Sequence, residues 1–135
     1  MAKKILLIED EEGISEMYEM ALMSTGHSCL VVDNVADALT LTVKEKPDLV
    51  LLDLLLPARK GEVVDLYAKE GLKYLETIRK KKDFKKMPIL VLSNLEGKKD
   101  RAEASKFQVL DYLIKSEISI EDLVKVVNKV LRKKK

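Results

Sequence analysis

Cysteine, histidine, glycine and proline are all scarce in this 135-residue chain, and each scarcity removes a class of function. A single cysteine cannot close an internal disulfide, and its neighbours Leu30, Val31 and Val32 mark Cys29 as a buried thiol rather than a redox group. The single histidine, His27, follows Gly26 and reads as an exposed turn residue, not a phosphohistidine donor. With 25 Lys and Arg against 23 Asp and Glu, the net charge of +2 gives no general attraction to nucleic acid or membranes. No apolar run approaches the roughly 20 residues of a membrane span. The start Met1-Ala2-Lys3-Lys4 leads into a strand rather than a signal-peptide core, so a soluble, cytoplasmic protein is expected. No repeat, low-complexity segment or Pro- or Gly-rich linker divides the chain, which predicts one domain over 1–135 and no DNA-binding domain. No Gly-rich loop with an adjacent Lys follows the first apolar run, which argues against a nucleotide cradle. The terminal Arg132-Lys133-Lys134-Lys135 lacks interleaved aromatics and reads as a solvated helix end.

What the chain does have is a set of short apolar runs that end alike. Ile5-Leu6-Leu7-Ile8 runs into Glu9-Asp10, Leu49-Val50-Leu51-Leu52 into Asp53, Ile89-Leu90-Val91-Leu92 into Ser93, and Tyr112-Leu113-Ile114 into Lys115. A further strand is predicted from Ser28 to Val32. Leu49 to Asp53 is apolar throughout before its carboxylate, as expected of a central strand covered on both faces. Helical spacing links Ile14, Met17, Tyr18, Ala21 and Leu22, with a stop near Thr25-Gly26, and then Val35, Ala38, Leu39 and Val43 after Asp33-Asn34. Leu72, Leu75, Ile78 and Arg79 predict a third helix, preceded by an added turn around Val63-Val64-Asp65-Leu66-Tyr67 and cut off from it at Gly71. A short exposed helix is expected from Lys98 to Phe107, and a strand from Val109 to Ile114. A last helix, capped by Ser119, carries Ile120, Leu123, Val124, Val127, Val130 and Leu131 on one face. Five strand-then-helix units with right-handed crossovers give an α/β, doubly wound parallel sheet with helices on both faces.

In such a sheet the carboxyl ends of the strands share one edge, where open α/β folds bind ligands. That edge would gather three carboxylates (Glu9, Asp10, Asp53), a hydroxyl (Ser93) and an ammonium (Lys115). Like charges repel at such distances unless a cation sits among them. Oxygen-only donors favour a hard ion, and Mg2+ is the cofactor expected. Asp53 is then a candidate nucleophile toward phosphorus, forming an acyl phosphate, while Lys115 and Ser93 bind phosphoryl oxygens.

These residues resemble the receiver domains of two-component response regulators. The resemblance runs from Lys4 to about Leu131 and rests on Lys4-Ile5-Leu6-Leu7-Ile8-Glu9-Asp10-Glu11, Pro47-Asp48-Leu49-Val50-Leu51-Leu52-Asp53 through Pro57, Pro88-Ile89-Leu90-Val91-Leu92-Ser93 and Asp111-Tyr112-Leu113-Ile114-Lys115. It implies a flavodoxin-like strand order 2-1-3-4-5. It also implies that Asp53 accepts phosphate from a histidine kinase or phosphotransfer protein, with the metal held by Glu9, Asp10, Asp53 and the Leu55 backbone carbonyl. Ser93 and Tyr112 would move together on phosphorylation and change the affinity of the face made by the fourth helix, fifth strand and fifth helix for a downstream protein or, as a further candidate, for a second copy of the chain. Such a protein is a phosphoacceptor that assists its own phosphorylation, not an enzyme in the usual sense.

Several residues depart from the family pattern. Ser116 stands where proline is usual, and Asn94 where a small residue is usual, its amide expected to narrow access to the phosphate. Leu55 and Leu95 offer no polar group to orient water, which predicts slow autodephosphorylation. The connection around 58–71 is roughly ten residues longer than usual, a length that loops tolerate. Asn94 and Ser116 also support an alternative: a phosphorylation-independent interaction module that keeps the receiver fold. A phosphoester-hydrolysing enzyme is the weaker reading, because its aspartate motif would need a second Asp where this chain has Leu55.

Overall fold

The computed structural model describes residues 2–95 and 97–133, so Lys134 and Lys135 of the basic terminus lie outside the described residues. Five strands form one parallel sheet: β1 (Lys4–Ile8), β2 (Ser28–Val32), β3 (Leu49–Leu52), β4 (Ile89–Ser93) and β5 (Asp111–Ile114). Their order is β2-β1-β3-β4-β5, with the all-apolar β3 in the centre. The helices are α1 (Glu12–Met23), α2 (Val35–Glu45), α3 (Glu70–Lys80), α4 (Lys98–Ser105) and α5 (Ile120–Lys133), and a single 3-10 turn spans Lys82–Phe84. Among the described residues no helix is long and apolar enough to cross a membrane.

Because side chains alternate along a strand, each buried strand supplies both faces of the sheet. Leu6, Ile8, Val50, Leu52, Ile89 and Val91 meet Val35 and Ala38 of α2, Tyr74, Leu75 and Ile78 of α3, and Ala104 of α4. Ile5, Leu7, Leu49, Leu51, Leu90 and Leu92 meet Tyr18 and Leu22 of α1 and Leu123, Val127 and Leu131 of α5. Cys29 is buried on this second face, and burial pushes its thiol up to about 12. The Asn34 side chain caps α2 by accepting the Asp37 N–H at 2.9 Å, and the Ser119 hydroxyl accepts the Asp122 N–H at 3.0 Å at the start of α5.

The structure departs from the sequence reading at particular residues. Met17 and Val43 are 48% and 45% exposed rather than core. On α1 the buried stripe runs through Ser15, Tyr18 and Leu22, one position away from Met17. On α2 the buried position belongs to Thr42, whose hydroxyl pairs with the Ala38 carbonyl at 2.7 Å and the Tyr74 hydroxyl at 2.8 Å, and this turns Val43 outward. His27 is half-buried, not exposed: Nδ1 accepts the Lys3 N–H at 3.2 Å and Nε2 lies 3.0 Å from Asn128 Oδ1 of α5. β5 begins at Asp111 rather than Val109, after Gln108 takes a left-handed φ of 59°.

The largest difference lies in the connection between β3 and α3. Residues 53–69 form turns without a helix or strand, and Val63, Leu66 and Tyr67 are 91%, 63% and 96% exposed. The segment is nonetheless anchored. Val35 and Ala36 donate to the carbonyls of Pro57 and Ala58, and Asp65 Oδ1 accepts the N–H groups of Tyr67 and Ala68 at 2.9 and 3.2 Å. Lys69 bonds to Asp100 of α4. Gly71 does not cut off the third helix; it is the second residue of α3 and seals the segment against the sheet. Its N–H donates to the Leu54 carbonyl at 3.0 Å, and an added Cβ would stand 2.5 Å from Leu54 Cα and 2.6 Å from the Asp53 carbonyl oxygen. Those neighbours are backbone and cannot swing aside. We therefore expect Gly71→Ala to destabilise the fold by about 1 to 3 kcal/mol, measured as a lower urea midpoint, whereas Gly13→Ala, with open space around it, should not destabilise it.

Candidate functional site

The backbone ladder continues one rung beyond three strands, and this places the polar side chains at the sheet edge. Glu9 N–H donates to Val32 at 3.0 Å, Asp53 N–H to Ile8 at 3.1 Å, and Lys115 N–H to Ser93 at 2.9 Å. Each side chain thus leaves a backbone as fixed as the strand behind it. The Lys115 ammonium sits between two carboxylates, 2.6 Å from Glu9 Oε1 and 2.9 Å from Asp53 Oδ2. The three side chains are only 5%, 2% and 6% exposed, so water screens them little. The remaining oxygens have partners too: Glu9 Oε2 accepts the Glu11 N–H at 3.2 Å, and Asp53 Oδ1 accepts the Leu55 N–H at 3.1 Å.

Asp10 completes the acidic set. Glu9, Asp10 and Asp53 each offer an oxygen, and these three atoms lie within 4.8 Å of one another. Three carboxylates against one ammonium leave an excess of negative charge in a poorly solvated place. Burial, then the Asp53 charge, pushes the Glu9 carboxyl up to about 7 against the opposing pull of Lys115. The same two causes raise Asp10. At Lys115 burial works against the ammonium, but Asp53 and the bond to Glu9 outweigh it and hold the lysine above its ordinary range. An all-oxygen donor set with surplus negative charge fits a hard divalent cation. A groove lined by Glu9, Asp10, Glu12, Asp33, Asp37 and Lys60 opens beside it.

The other predicted residues flank this centre. Ser93 is fully buried, its hydroxyl accepting the Leu95 N–H at 3.3 Å. The Tyr112 hydroxyl donates to the Leu95 carbonyl at 2.7 Å, and its ring lies under the Arg101 guanidinium, 5.0 Å from carbon to centroid. Burial and then Asp100 push Tyr112 up to about 12, so it remains a donor at neutral pH. Leu55 and Leu95 are partly buried, while Asn94 is exposed and its Oδ1 accepts the Ser116 N–H at 3.0 Å. No cis peptide bond occurs among the described residues. Sequence reasoning missed two neighbours: Glu11 Oε1, 4.0 Å from the Lys115 ammonium, and Gly71 against the Asp53 carbonyl. The acidic run Glu9-Asp10-Glu11-Glu12 contained a signal for the first. For the second, only the glycine at the head of an amphipathic stretch was visible.

Comparison with known proteins agrees with this geometry. The model of the response regulator receiver domain matches residues 5–128. The Mn(2+)-bound response regulator Rcp1 is 27% identical, with TM-score 0.73 over 95% of this chain and 91% of that one. The receiver domain of Francisella response regulator 1452 is 24% identical, with TM-score 0.81 over 98% and 99%. The chemotaxis protein CheY4 of Vibrio cholerae is 21% identical, with TM-score 0.80 over 96% and 99%. With a family match across most of its length, the chain belongs to the response regulator receiver domains of two-component systems. Proteins of this class are phosphoaccepting signalling switches with a divalent-metal pocket, acting with a kinase or phosphotransfer protein and a downstream effector.

The Glu9 shift has a signed consequence for stability. Its carboxyl rises from 4.5 to about 7 on folding, so between those values the folded chain binds more protons than the unfolded one. The contribution is fully present below 4.5 and is lost as pH rises through about 7. In chelator-treated buffer the urea midpoint should fall across this window, and Glu9→Gln should flatten that part of the profile.

Proposed function

We propose that Asp53 is the phosphoacceptor of a cytoplasmic signalling switch, receiving a phosphoryl group from a histidine kinase or a phosphotransfer protein with Mg2+ as cofactor. The observation that carries this reading is the buried Lys115 ammonium bridging Asp53 and Glu9, with Asp10 within metal-sharing distance. Glu9, Asp10, Asp53 and the Leu55 backbone carbonyl would hold the ion. When bound, it supplies charge neutralisation for the phosphoryl oxygens. In the transfer, an Asp53 carboxylate oxygen bonds to phosphorus as the donor's N–P bond breaks, leaving an acyl phosphate and a neutral imidazole on the donor.

Lys115 stabilises the acceptor carboxylate before transfer and pairs with a phosphoryl oxygen after it. The Ser93 hydroxyl, rotated to donate to a second phosphoryl oxygen, gives up the Leu95 N–H that it accepts, and that releases the turn to which Tyr112 is bonded. A switch needs contacts that differ between its two states, and these exchanged bonds are such contacts. The α4-β5-α5 face is the surface whose partner affinity changes. The 58–71 segment is an insertion, and its exposed Val63, Leu66 and Tyr67 suit a partner-specific contact.

Incubation with Mg2+ and acetyl phosphate should add one phosphoryl group by intact mass, and none to Asp53→Asn. An unmodified wild-type protein would instead favour the phosphorylation-independent interaction module. With apolar Leu55 and Leu95 beside the site, the purified phosphoprotein should lose its label slowly; rapid loss would count against their proposed role in limiting hydrolysis.

A further inference from the structure

Three consecutive residues, Ser93 at the end of β4 and the two that follow it, each hold a different point at the end of β5. The Ser93 carbonyl accepts the Lys115 N–H at 2.9 Å, the Asn94 side-chain oxygen accepts the Ser116 N–H at 3.0 Å, and the Leu95 carbonyl accepts the Tyr112 hydroxyl at 2.7 Å. On the turn's side, the first and third use backbone carbonyls that any residue would offer. The middle one depends on a side chain.

We propose that Asn94 is a positioning residue for Lys115: its amide oxygen fastens the backbone just beyond the lysine to the start of the turn that follows Ser93. This deepens the reading of Asp53 as phosphoacceptor and rests on it. The β4–β5 register ends at Ser93 opposite Ile114, so Lys115 and Ser116 lie past the last paired residues. The chain then turns at once, Glu117 N–H donating to the Ile114 carbonyl at 2.9 Å. A flexible four-carbon side chain reaches two carboxylates in a fixed geometry only if its backbone is held. Bonds on two successive N–H groups hold it.

The two departures noted in the sequence are therefore partners. Proline at 116 would have no N–H to offer, and a small apolar residue at 94 would have no acceptor. Here the donor and acceptor occur together and meet. The bond also makes the turn after β4 and the turn after β5 move as a unit, so a displacement of Ser93 toward a phosphoryl group carries the lysine backbone with it.

The test is a four-protein cycle: wild type, Asn94→Ala, Ser116→Pro and the double variant. Phosphorylation by acetyl phosphate is followed across donor concentration at saturating Mg2+. Asn94→Ala should lower the maximal rate about fivefold, the scale of one net hydrogen bond, with little change in the donor concentration for half-maximal rate. In the Ser116→Pro background the same change should cost nothing, and Asn94→Asp, which keeps the acceptor oxygen, should recover part of the rate. In the unphosphorylated protein, the Nζ resonance of Lys115 should shift and the Ser116 amide should exchange faster in Asn94→Ala. An equal loss in both backgrounds, or a lower half-maximal concentration without loss of rate, would overturn the proposal and make Asn94 a steric gate. If wild type takes up no phosphoryl group, the phosphoacceptor reading fails instead. Positioning is then decided by the resonances alone, and an unmoved Lys115 signal rejects it.

Discussion

The ion triad of Lys115, Glu9 and Asp53 is the constraint around which the rest of this molecule is arranged. An ammonium and two carboxylates, each nearly closed to solvent, are costly to bury and become tolerable only when every oxygen and the ammonium have partners. The sheet meets that requirement by running its backbone ladder one residue beyond β1, β3 and β5. Removing Lys115 would leave two buried carboxylates without their counter-charge. An arrangement so poorly optimised for stability alone is understandable where the surplus negative charge suits a divalent cation.

Asp53 is tied to the elements around it at several points. Its carbonyl is covered by the first turn of α3 through Gly71, its carboxylate is bonded to Lys115 just past β5, and the end of β4 with the turn after it is bonded to β5 and the two residues beyond it at three points. Lys69, at the end of the long connection, bonds to Asp100 and so ties that connection to α4. Under the proposed phosphoacceptor role, coupling would need no long pathway, since these neighbouring elements are bonded to one another directly.

Much of this was legible in the chain. Four of the five strands are marked by apolar runs stopped by Glu9, Asp53, Ser93 and Lys115, and parallel topology sends all such endings to one edge. Helix faces were less legible where a polar residue is satisfied inside: periodicity assigned Val43 to the core, but the two hydrogen bonds of Thr42 let it take that place. Gly71 read as a break because glycine signals both chain freedom and close approach, and only the fold distinguishes them. The bond between Asn94 and Ser116 joins residues 22 apart through a side-chain amide and a backbone N–H, and no local pattern reports it. Val63, Leu66 and Tyr67 formed an apolar cluster in sequence without a core to enter, since the segment is pinned at both ends and leaves its middle in solvent.

The solitary thiol has a practical consequence. Cys29 is enclosed between the sheet and the α1–α5 layer, with its ionisation pushed far above neutral pH, so electrophilic reagents will find almost no thiolate there. A dye or spin label attached to a newly introduced surface cysteine would therefore report from that position alone, and the native background need not be engineered away.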